Sequence, residues 1–129
     1  MPTRIPLNTL DPRWLVADGQ RVGFIFRCPM PDKSFYQSCM FQSVGWREQH
    51  ALFTAALADL QIAEGKNPEH GWTRVQGVTG DAYSNITWLC SPDPDAATFD
   101  NITVHPSIDG SAGGLWHGWI QDGHAVFLD

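Results

Sequence analysis

The chain has 129 residues, of which 43% are hydrophobic and 17% charged, and its formal net charge is -6. That length suits one domain over 1–129 with a real core, and the balance excludes a disordered chain, which would be richer in charge. The eight basic residues include Arg4, Arg13, Arg21, Arg27 and Lys33, a scatter rather than the patch that nucleic acid demands, and no apolar run reaches the ~18–20 residues of a membrane span.

Residues 1–12 carry Pro2, Pro6 and Pro12. Proline cannot donate to a ladder, so this stretch predicts an extended, unpaired N-terminal arm. It also lacks the apolar segment of a secretory signal, so a cytoplasmic location is expected. Next, Trp14–Ala17 and Val22–Cys28 flank Asp18-Gly19. Asp-Gly between apolar runs marks a tight hairpin. Pro29 and Pro31 then end the second strand. Residues 30–41 mix turn residues and rings, and read as a loop or as a short strand around Phe35-Tyr36.

The period changes at about residue 44. Trp46, Phe53, Leu57 and Leu60 fall near one helical face, and Leu52, Ala56 and Ala63 widen it. That spacing predicts an amphipathic helix over about 44–64. Ser43 is the expected N-cap, Gly65 the C′ residue and Pro68 the stop. From Gly71 the pattern turns to short strands: Trp72–Val78, Ile86–Cys90, Ile102–Ile108, Leu115–Ile120 and Ala125–Leu128. Turn clusters at 80–81, 91–95, 109–114 and 122–123 separate them. One helix among five to seven strands predicts an α+β protein, mostly antiparallel, with a sandwich or barrel-like sheet.

Four residues are ligand types for a metal: Cys28, Cys39, His105 and His117. Zinc pairs often lie two to four residues apart. Here the cysteines are eleven apart and the histidines twelve, so a zinc site requires strand ends to meet in space. The same residues also suit a core position for each thiol and a surface position for each imidazole. Three cysteines, an odd number, argue against a disulfide framework. Ser107, His117 and Asp109 supply the types of a catalytic triad, but G-x-S-x-G is absent. Asp93, Asp95 and Asp100 read as turn chemistry. Gly110, Gly113 and Gly114 precede a strand rather than a helix, which does not fit a phosphate cradle.

The run Trp116-His117-Gly118-Trp119 stands out. On a strand, Trp116 and Gly118 face one way and Leu115, His117 and Trp119 the other. One tryptophan should be buried and the other more exposed, beside a histidine and a Gly-rich loop. The candidate binding set is Ser107, Asp109, Trp116, His117, Trp119 and Asp122.

Three stretches carry a resemblance: Arg21–Pro29 (RVGFIFRCP), Thr103–Asp109 (TVHPSID) and Trp116–Gly123 (WHGWIQDG). Their order resembles that of an uncharacterised family of small phage, prophage and bacterial-operon proteins, sometimes labelled ammonia monooxygenase-like. The resemblance covers about a third of the chain, at both ends, and leaves out the helix. It implies a β-rich fold and, in many relatives, a zinc-knuckle-like site, with a further His or Cys after Cys-Pro and a His before the tryptophan. Here those places hold Met30-Pro31 and Leu115. This copy therefore lacks two ligand types unless Cys39 and His105 substitute.

The expected function is a non-enzymatic accessory or interaction protein of phage or prophage origin, a virion component among the options. It would contact a protein partner, other virion proteins or itself, with no cofactor, nucleic acid or membrane. A first alternative is a small zinc-dependent hydrolase. Cys28, His105 and His117 would gather the ion, and Asp109 or Asp122 would act as base on its water. A second is a host-defence interaction protein whose acidity mimics nucleic acid.

Overall fold

The computed structural model describes residues 2–30, 36–42, 49–65, 75–76, 87–109 and 116–128. Nine strands and one long helix lie among them. In chain order they are β1 (Pro2–Pro6), β2 (Arg13–Ala17), β3 (Gln20–Arg27), β4 (Tyr36–Met40), α1 (Gln49–Glu64), β5 (Val75–Gln76), β6 (Leu89–Ser91), β7 (Thr103–Asp109), β8 (His117–Gln121) and β9 (His124–Leu128). A five-stranded sheet has the order β1-β9-β8-β7-β6, and a four-stranded sheet the order β2-β3-β4-β5. All pairings are antiparallel except β4 with β5. The α+β, largely antiparallel architecture expected from the pattern is the one observed.

Three layers follow from where the apolar side chains point. Phe24, Phe26, Cys28, Cys39 and Phe41 from one sheet meet Ile102, Val104, Ile108, Trp116, Ile120 and Ala125 of the other sheet's side in a shared core. The second face of the four-stranded sheet carries Leu15, Ala17, Val22, Ile25 and Met40, and α1 covers it with Phe53 and Ala56. β3 is thus buried on both faces, and so reads Val-Gly-Phe-Ile-Phe without polar alternation. The sheets also join at one corner. Trp88 N donates to the Met40 carbonyl at 2.8 Å and Gln42 N to the Trp88 carbonyl at 2.7 Å, around a parallel bridge between Phe41 and Trp88.

Both Asp-Gly pairs form the tight turns foreseen. Asp18 and Asp122 have φ of 52° and 48°, and the glycines after them 76° and 74°, as the primed hairpin turn requires. Gly65 follows α1 with φ 64°, the C′ conformation. Ser43, Trp46 and Pro68 lie outside the described residues, as do Phe35, Ile86, Leu115 and most of 72–78. Along α1, Ala63 is exposed rather than part of the buried face.

One expectation is corrected. The N-terminal arm is extended but not unpaired: β1 forms the outer strand beside β9, with Thr3 opposite Phe127 and Ile5 opposite Ala125. An edge strand needs donors on one side only. Pro2 and Pro6 share one parity, which leaves Thr3 and Ile5 to carry the ladder. Of the two alternatives for residues 30–41, the strand is observed at Tyr36–Met40 as β4, whose Gln37, Ser38, Cys39 and Met40 are all buried. Among the described residues, no helix is long and apolar enough to cross a membrane.

Candidate functional site: the C-terminal hairpin and its aromatic hollow

β8 alternates along its length. His117 is exposed, Gly118 buried, Trp119 half-buried and Ile120 buried. The tryptophans divide as expected, with Trp116 only 1% exposed. Its ring meets Phe26 and Phe127 edge-on, at centroid distances of 5.7 and 5.9 Å. Gly118 makes that seat: a Cβ there would overlap the Trp116 ring and the Val126 carbonyl. The backbone of Trp116 is fixed from the opposite sheet, since its N–H donates to Gln37 Oε1 at 3.0 Å. The Trp116 indole N–H is buried with no hydrogen-bond partner among the described residues.

Around this edge lies a hollow of about 310 Å³ lined by Met30, Trp116, His117, Trp119, Phe127 and Leu128. The His117 and Trp119 rings are 5.9 Å apart. Leu128 is 72% exposed, the second most exposed of the large apolar residues described. Rings, a thioether and an aliphatic side chain make a surface suited to an apolar or aromatic group. Met30, Trp119 and Phe127 are half-buried beside Leu128.

The other anticipated residues lie at separate points of β7 and of the hairpin. Asp109 stands opposite His117 in the β7–β8 register. Ser107 is half-buried, and its carbonyl accepts the Trp88 indole N–H at 3.4 Å. Asp122 sits in the hairpin turn at the far end of β8, where its N–H donates to Thr103 Oγ1 at 2.9 Å. Met30, Phe127 and Leu128 were absent from the expected set. A two-residue turn pairs Gln121 with His124, which places Phe127 and Leu128 beside Gly118 and His117. That register was readable from the Asp122-Gly123 turn.

The four ligand types do not converge. Cys28 and Cys39 are buried in the core between the sheets. His105 and His117 are exposed on strands of the five-stranded sheet whose inward residues are Val104, Ile108 and Gly118. No group of three His, Cys, Asp or Glu residues that could hold an ion occurs among the described residues. Burial, with a smaller contribution from Cys90, pushes the Cys39 thiol well above its ordinary value. The thiolate that zinc would bind is disfavoured there. Cys90 is pushed up to about 11 by burial and by Asp93, against an opposing pull from Arg21. Its thiol donates to the Pro92 carbonyl at 3.3 Å.

The chain matches no protein-family model, no curated protein and no solved structure.

Proposed function

We propose that the protein is a non-enzymatic accessory or interaction protein whose contact surface is the outward side of the β8–β9 hairpin. The observation that carries this reading is the hollow between His117, Trp119 and Leu128, apolar and open on a chain otherwise rich in acidic groups. Aromatic residues at the centre of a contact supply most of its energy. The resemblance of the Cys-Pro, PSID and WHGWIQDG elements supports a phage or prophage setting. Host cytoplasm or virion is then the place of action, and a protein the partner. The separation of Cys28 and Cys39 from His105 and His117 argues against the zinc-hydrolase alternative.

The test compares wild type with Trp119→Glu and Leu128→Glu, each tagged and expressed in the source cells. Both side chains lie at least partly in solvent, so both variants should fold. The expected result is one partner protein retained in fixed ratio by wild type and lost at least about tenfold by both variants, some 1.4 kcal/mol. Equal retention by wild type and variants would overturn the reading. So would stoichiometric zinc that is lost on His117→Ala.

A further inference from the structure

We propose a second docking site, the groove between β2 and α1, which takes an extended basic peptide that adds to the four-stranded sheet as a new strand. β2 ends the order β2-β3-β4-β5, and among the described residues no strand lies on its other side. Pairing with β3 uses one side of β2. On the other, alternate residues present backbone N–H and C=O groups to a further strand. Proteins usually blunt such edges. β1 is blunted by Pro2 and Pro6. β2 reads Arg-Trp-Leu-Val-Ala, with no proline; its register against β3 shifts between Leu15 and Val16, and Val16 is 42% exposed.

The helix forms the second wall. A hollow of about 210 Å³ is lined by Trp14 and Val16 of β2 and by Ala56, Asp59, Leu60 and Ala63 of α1. Those four helix positions make one stripe at spacings of three and four. The two alanines keep it shallow enough for a chain to lie between helix and strand. An open edge dictates extended backbone in the occupant, and the apolar walls select short aliphatic side chains at alternate positions.

Charge sets the remaining positions. Asp59 is exposed and lines the hollow, and Asp18 is exposed in the turn that follows β2. The last turn of α1 has no basic residue, so its carbonyl end adds partial negative charge. Arg13, the cation of β2, is already held by Asp11 at 2.6 Å and Glu64 at 2.7 Å. Arg21 lies over the Trp14 ring at 4.1 Å, so the carboxylates of Asp11, Asp18, Asp59 and Glu64 stand against the two guanidiniums of Arg13 and Arg21, and the net charge of -6 points the same way. Lys or Arg alternating with the aliphatic residues completes the match.

The probe is a blocked hexapeptide of alternating Lys and Val, titrated into the full chain while backbone amide resonances are followed. Saturable shifts are expected at Arg13–Ala17 and along α1. They should weaken with added salt and lose at least about tenfold in affinity in Ala63→Arg, which fills the groove from an exposed position, and in Asp59→Lys. The proposal is overturned by an absence of saturable shifts, by equal binding of a Glu-Val hexapeptide, or by equal binding of a Lys-Val peptide N-methylated at alternate amides. Self-association that Ala63→Arg abolishes, without peptide binding, would also overturn it by assigning the edge to a second copy.

Discussion

At the scale of single residues, position decides chemistry more than residue type does. Cys39 and Cys90 are both thiols, yet one is fully enclosed in the core and the other half-exposed. The Cys90 thiol is raised from an ordinary 9.0 to about 11, so the folded chain holds the proton more tightly than the unfolded chain. Its contribution to stability is complete below about pH 9 and is lost as pH rises toward about 11. Alkylation of Cys90 by iodoacetamide should therefore rise with a midpoint near pH 11, and wild type should lose more stability than Cys90→Ala between pH 9 and 11. A reaction already at its plateau at pH 9 would contradict this. His117 shows the same lesson from the other side. The sequence offered it as a ligand, and the register instead makes it one wall of an aromatic hollow.

At the scale of elements, strong local chemistry was legible and distant pairing was not. Both Asp-Gly turns could be read directly, because positive φ at two successive positions is tolerated by few residue pairs. The helix was legible from its period. β1 was not, since its prolines argue against pairing until its place at an edge is known. β4 was obscure because Tyr-Gln-Ser-Cys-Met lacks alternation, being covered on both faces. Gln37 on β4 is the clearest case of a role set wholly by tertiary structure. It is 2% exposed and accepts the Trp116 backbone N–H across the core. Gln37→Leu keeps similar bulk but strands that donor, so urea unfolding should show a loss of about 1–3 kcal/mol. A midpoint unchanged from wild type would show that the bond does not tie β4 to β8.

At the scale of the whole molecule, three layers leave two kinds of surface. α1 covers one face of the four-stranded sheet, and the two sheets cover each other. Among the described residues, hollows open at the outward side of the β8–β9 hairpin and at the edge of β2. The tryptophan pair in the sequence pointed to the hairpin, because alternation alone splits Trp116 from Trp119. The rest of the hollow was hidden, since Met30 comes from the far end of β3 and only the fold brings it to Phe127. We propose this hollow as the contact surface. Amide hydrogen exchange, compared between the free chain and the chain in the complex isolated from its source cells, tests it most directly. Slowed exchange is expected at His117–Trp119 and at Phe127–Leu128. Protection confined to other segments, with those residues exchanging as in the free chain, would contradict it.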